Sequence, residues 1–248
     1  MFKHFLLIIP DHKHGRRVGW HKLITAADDY KYIKHTVQKI TSEVGGAQLA
    51  SHIITTDSDE ISSIKQKDTF FSDIDFFENE DDFINYYKNE KELTANDVAN
   101  YILSYGKNIT HLKLQKLTYL CYENVLKKLN FKLFDDNIYA YKLGPVIDSI
   151  YSRYRNGGKD ILDIEEDDSI YLSESDLLIK PSLSRVLFSE NGVKVLQVID
   201  TTLEEYIDYS TSALVNITHE EGTAWNNTYI EGVKNNIISD EQILTSSK

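Results

Sequence analysis

Three groups of residues carry side chains of the types that do chemistry. His219-Glu220-Glu221 sets an imidazole beside two carboxylates. A metalloprotease helix needs a second histidine four residues on, so that both rings face one zinc ion, and Thr223 stands there instead. His12, His14 and His21 share a basic stretch with Asp11, a set that could hold a metal or a phosphate or simply meet solvent. Arg16-Arg17 followed by Trp20 would suit an anion, a nucleic-acid backbone or a partner protein. The only cysteine, Cys121, lies in an apolar helical run with no neighbour in sequence to lower its pKa. It reads as a buried structural thiol, and its isolation points to a reducing cytosol. The sequence holds no P-loop, GxGxxG, GxSxG or CxxC pattern, and no metal or other cofactor is expected.

Charge narrows the partners. The net charge is -12, which repels phosphate backbones at long range and argues against general nucleic-acid binding. It is unevenly placed. Residues 1–40 hold eight Lys/Arg against three Asp/Glu, whereas residues 41–92 hold four against thirteen. Residues 160–176 add eight carboxylates and no base, a solvated loop or a face for a basic partner. The run Phe5-Leu6-Leu7-Ile8-Ile9 ends at Pro10, too short to span a membrane and without a small-residue cleavage site. A membrane partner is not expected.

The elements that must position these residues fall into two parts of an α+β chain. Residues 1–92 read as a small α/β module. It has a strand over Phe2–Ile9, a helix from Trp20 to Val44 stopped by Gly45-Gly46, short strands at His52–Thr56 and Ile74–Phe77, and a helix opened by Asp81-Asp82. Residues 93–248 read as a mainly α-helical domain containing one β-hairpin. Thr94 with Asp97 forms a capping box, and Thr110 caps the next helix. In that helix Leu114, Leu117, Cys121, Val125 and Leu129 form one apolar stripe, which leaves Gln115 and Lys116 to face outward. Asp135-Asp136-Asn137 would turn a hairpin across Leu133–Leu143, and Pro145 would open a helix through Tyr154 that Gly157-Gly158 stop. Pro181 breaks any helix from Ser175 to Phe188, and Val193–Tyr206 and Thr211–Ile217 complete the helices.

The order of motifs from Thr94 to about Gly232 resembles the Panacea domain, the SocA-like antitoxin family. The core Lys113, Leu114, Gln115, Lys116, Leu117 is followed by Tyr119 and Tyr122, then Leu133-Phe134, Asp135-Asp136, Ile138, Ala140 and Gly144-Pro145-Val146. Tyr151, Arg153 and Tyr154 follow, then Gly157-Gly158, and finally Thr218-His219 with Trp225, where Ala224 replaces the family's usual proline. The resemblance implies a non-enzymatic antitoxin that neutralises a cognate toxin by direct contact, with residues outside the shared domain helping to choose the partner. It also brings into range a phage-borne inhibitor of a host defence effector, or an adaptor delivering a toxin to a AAA+ protease, since the family is common on prophages and mobile elements. Leu114, Leu117, Gly144, Pro145, Val146, Thr218, His219 and Trp225 would then report the fold. Contacts would come from Gln115, Lys116, Tyr119, Tyr122, Tyr139, Tyr141, Tyr151, Arg153 and Tyr154, tyrosine being rich in contact area at low entropic cost. Two other classes stay open. One is an enzyme assembled only in the fold around His219, Glu220 and the histidine loop; the other is a nucleic-acid regulator using Arg16, Arg17 and Lys22.

Overall fold

A computed structural model describes residues 1–44, 49–157, 160–162 and 180–247. The chain divides into two compact units, Met1–Lys91 and Glu92–Lys248.

The first unit runs β1 (Phe2–Asp11), β2 (Arg16–Ile24), α1 (Ala27–Val44), β3 (Ala50–Thr56), α2 (Ile61–Lys67), β4 (Asp75–Phe77) and α3 (Glu80–Lys91). Its sheet has the order β3-β1-β2-β4, with β4 parallel to β2 and the other pairs antiparallel. The unbroken apolar run of β1 follows from this central position, because both of its faces are covered. Phe5, Leu7 and Ile9 join Trp20, Ile33, Phe83 and Tyr87 on one side, while Leu6 and Ile8 join Ile64, Phe71 and Ile74 on the other. The helix expected from Trp20 begins only at Ala27. Trp20 lies instead in β2, paired with Leu7, because alternation from Val18 to Trp20 buries that face of a hairpin. The expected strand at Ile74–Phe77 and the helix after it appear as β4 and α3, whose first turn carries Glu80, Asp81 and Asp82.

The second unit runs α4 (Ala95–Tyr105), α5 (His111–Leu129), β5 (Ile138–Tyr141), β6 (Gly144–Ile147), α6 (Asp148–Tyr154), α7 (Pro181–Leu187), α8 (Gly192–Tyr206), α9 (Thr211–His219), α10 (Ala224–Thr228) and α11 (Asp240–Thr245). The Thr94–Asp97 capping box is formed on both sides, and the Thr110 hydroxyl accepts from Lys113 N. α5 is the axis of the unit, packing against α4, α6, α8, α9, α11 and β6. That surround explains why eleven of its residues are buried, more than one apolar stripe would supply. The hairpin turns at Lys142-Leu143 and not at Asp135-Asp136-Asn137, so Ile138 pairs with Ile147 and Ala140 with Pro145. Pro145 thus sits in a strand and does not open a helix; Asp148 does. The strand tolerates proline because Ala140, opposite it, points its N–H away to Asn236 O, so no ladder bond is lost there, while Gln115 and Lys116 of α5 cover the outer edge. Most of the acidic stretch and Gly158 lie outside the described residues. No described helix is long and apolar enough to cross a membrane.

Candidate functional site

The scattered motif residues of the second unit meet around the hairpin. Gln115 reaches β6 with both ends of its amide: Nε2 donates to Ile147 O at 3.2 Å, and Ile147 N donates to Oε1 at 2.9 Å. The side chain therefore acts as a short extra strand along the open edge of β6. One residue on, Lys116 Nζ donates to Pro145 O at 2.6 Å. Three backbone groups that a free edge would leave in water are satisfied by adjacent residues of one helix.

Gly144 is required by both space and backbone. Its φ is +97°, and a Cβ there would lie 2.8 Å from Lys116 Nζ and 2.8 Å from Thr218 Oγ1. Thr218 is held on α9 by its own bond to Val215 O and accepts Thr223 Oγ1 at its carbonyl. His219 stacks flat on Trp225, ring centroids 3.6 Å apart and 3° from parallel, and Tyr229 covers the indole's other face at 4.7 Å. The indole N–H donates to Tyr141 O at 2.8 Å, which ties this stack to the hairpin. The Leu-Gln-Lys-Leu, Gly-Pro-Val and Thr-His…Trp motifs are thus three walls of one packed centre.

Electrostatics there are set by burial. Lys116 is fully buried, and desolvation lowers its pKa from the usual lysine value to about 7. Burial also lowers His219, with the Lys116 charge adding to the effect, and among the described residues His219 Nε2 has no hydrogen-bond partner. Burial lowers His111 in the same way, again with Lys116 contributing.

Residues 114–226 match a family model described as antitoxin SocA-like, Panacea domain. That segment is similar to the Panacea family. The match covers a little under half of the 248 residues. It begins at Leu114 and ends at Asn226, inside the Thr94–Gly232 stretch whose motifs resemble the family. No curated protein and no solved structure matches the chain.

Within the Panacea segment the residues expected to contact a partner divide sharply. Gln115 and Lys116, expected to face outward, are 1% and 0% exposed, because the hairpin docks on the helix face opposite the leucine stripe. Tyr119 and Tyr122 are also buried. Tyr122 donates to Asp240 at 2.5 Å across to α11, and its ring lies 4.8 Å from Phe134. None of these four is available to a partner in this fold. Tyr154 is half-buried, its hydroxyl 3.4 Å from Asn100 Oδ1, with the exposed Arg153 over its ring. Tyr139, Tyr141 and Tyr151 do reach the surface. The first two stack 5.8 Å apart, and Tyr151 lies against His111 at 5.7 Å. Exposed Leu143 at the hairpin turn and Ile237, which bridges to Tyr139, extend this aromatic face. Their part in it, and that of His111, is not visible from spacing, because Ile237 reaches the hairpin from almost a hundred residues away.

The suspects in the first unit are engaged among themselves. Burial would raise the Asp11 carboxyl, but Tyr86 Oη at 2.5 Å, Arg16 Nε at 2.9 Å and His14 Nδ1 at 3.0 Å together hold it below its ordinary value. Arg16 also donates to Asp75, and Arg17 to Asp73 while stacking over Phe70 at 4.3 Å. His12 N donates to Glu90, and Trp20 is buried with its indole N–H 3.3 Å from Glu78 O. Both arginines therefore meet carboxylates on their own surface, a poor arrangement for gripping phosphates. His21 turns inward to His4, a buried partner that the sequence reading missed because His4 lies in an otherwise apolar strand. Cys121 is fully buried, which pushes its thiol pKa up.

Proposed function

We propose that this protein is an antitoxin that neutralises a cognate toxin by direct protein–protein contact in the cytoplasm, with no reaction of its own. The observation that carries the reading is the Panacea match over residues 114–226. The geometry is in keeping with it. The polar groups of the motif spend their hydrogen bonds inside the fold, on β6 and on the His219–Trp225 stack, so they hold a scaffold together and leave no set of groups converging on a substrate. Contact with the toxin is made by the face of Tyr139, Tyr141 and Tyr151 with Leu143 and Ile237, which is aromatic, apolar and partly exposed. The first unit, Met1–Lys91, sets partner choice.

The test is expression of the adjacent reading frame from an inducible promoter, with and without this chain, scored by growth and by co-purification. Rescue with a stable complex is expected. Replacing Tyr139, Tyr141 and Tyr151 with alanine should abolish rescue while the circular dichroism spectrum is retained. Rescue accompanied by disappearance of the toxin would assign the adaptor route to a AAA+ protease. A harmless neighbour would direct the search to a host defence effector captured from infected cells. Undiminished rescue by the triple variant would remove the aromatic face from the interface.

A further inference from the structure

In the first unit a buried histidine pair ends in an open groove, and its hydrogen bonds fix where its protons lie. His4 is 0% exposed. Its Nε2 lies 3.0 Å from Ser58 O and 2.9 Å from Thr56 Oγ1. A carbonyl oxygen can only accept, so Nε2 must carry the proton, and the Thr56 hydroxyl donates its own to Ser58 O at 2.5 Å. In the neutral ring the other nitrogen, Nδ1, is then a lone pair facing His21 Nε2 at 2.9 Å. His21 must supply the proton of that bond. Its ring is held neutral by burial, with the charge of Lys22 acting in the same direction, and its pKa falls to about 4. The remaining nitrogen, His21 Nδ1, is therefore an acceptor with no hydrogen bond among the described residues, on a residue that is only 8% exposed.

His21 lines a groove of about 480 Å³ formed by the end of β2, the turn into α2 and the residue after β4. Its other polar walls are Lys22, Asp59, Glu60, Ser62 and Glu78. Asp59, Glu60 and Glu78 are exposed and form no ion pair among the described residues, so each keeps its charge for a ligand. The one cation in the wall, Lys22, lies 5.0 Å over the Tyr32 ring. The groove thus offers acceptors of two kinds, a neutral imidazole nitrogen at its floor and carboxylates at its rim. Among the described residues no three His, Cys, Asp or Glu side chains are close enough to share a metal ion. A cation that spreads its charge over several N–H donors can bridge such separated acceptors where a single metal ion cannot.

We propose that this groove binds an organic cation bearing N–H donors, an ammonium or guanidinium group, by donation to His21 Nδ1 and to the carboxylates of Asp59, Glu60 and Glu78. Two sources share that chemistry, a free polyamine and a lysine or arginine side chain of another protein. The experiment uses the full chain at low ionic strength. Long-range proton–nitrogen correlation spectra read the histidine tautomers directly, and calorimetry measures binding of spermidine and, separately, of the capped peptide acetyl-Gly-Arg-Gly-amide. The His21 Nδ1 signal is expected to be that of an unprotonated ring nitrogen and to move on saturation with at least one probe. The double variant Glu60→Gln, Glu78→Gln, altered only at exposed positions, should weaken that binding by about tenfold or more, since each lost partner is a charge-assisted bond. Binding of spermidine alone supports a free polyamine, and binding of the peptide, alone or with spermidine, supports a protein side chain. A proton on His21 Nδ1, absence of saturable binding by both probes, or equal affinity in the double variant would each overturn the proposal.

Discussion

The buried ammonium of Lys116 makes the stability of the second unit depend on pH in an unusual direction. In the unfolded chain a lysine titrates near about 10.4. In the fold, desolvation lowers the value to about 7. Between these limits the unfolded chain binds more protons than the folded one, so stability rises with pH. Below pH 7 both states are protonated and the burial penalty is felt in full. Between pH 7 and 8.5 it shrinks by up to about 1.4 kcal/mol per pH unit, or roughly 2 kcal/mol across the interval. That window avoids the range above pH 8.5, where the raised thiol of Cys121 acts in the opposite sense. Lys116→Met removes the titration and, with it, the bond to Pro145 O. Leaving that buried carbonyl unpaired costs about 1–3 kcal/mol at every pH. At pH 7 the remaining burial penalty, about 4 kcal/mol, outweighs that cost, so the variant should be the more stable. By pH 8.5 the balance should have moved toward the wild type by about 2 kcal/mol. Urea unfolding followed by fluorine resonances of 5-fluorotryptophan suits the measurement, because Trp20 reports on the first unit and Trp225 on the second. Equal pH slopes for the Trp225 transition in wild type and variant would refute the reasoning.

Two further substitutions probe the same centre. Gly144→Ala forces a side chain into a left-handed backbone and onto Lys116 and Thr218, and should cost about 2 kcal/mol or more in the Trp225 unfolding transition. Gln115→Leu keeps the apolar packing but orphans Ile147 N and O. A loss of about 2–4 kcal/mol is expected, together with faster hydrogen exchange at the Ile147 amide.

What could be read in the sequence was what repeats along it. Helix caps are local, so Thr94, Asp97 and Thr110 announce the starts of α4 and α5 within four residues. The apolar stripe of α5 likewise reports the side that meets the other helices. The errors share one cause. A polar residue beside such a stripe is assigned to solvent by default, and only a second element supplying the right backbone groups reverses that. Gln115 and Lys116 are buried because β6, some thirty residues later, presents two carbonyls and an amide at their height. Pro145 is misread for the complementary reason, since proline before a helical pattern normally opens the helix, and here the strand it joins has its edge completed by side chains. Trp20 fails the same way: helical spacing continued across Thr25-Ala26, while the pairing of Trp20 with Leu7 decided the strand.

The same logic separates scaffold from contact surface. Most of the pieces that make this sequence resemble the Panacea family have their partners inside the fold, and buried polar pairs tolerate little change on either side. Gly144 must fit Lys116, Lys116 must reach Pro145 O, and Trp225 must reach Tyr141 O, so these positions are coupled by distance whatever the protein binds. Tyr139 and Tyr141 differ in kind. Their backbones are fixed by the hairpin, while their rings stack on each other at the surface and complete no internal network apart from the Tyr141 hydroxyl, 3.0 Å from Asn235. A side chain so placed can change without unfolding the centre beneath it. Changes at Gln115 or Lys116 should therefore lower affinity for a partner only in proportion to lost folding. Changes at Tyr139 should lower it at constant stability, and measuring both quantities on the same variants tells the two roles apart.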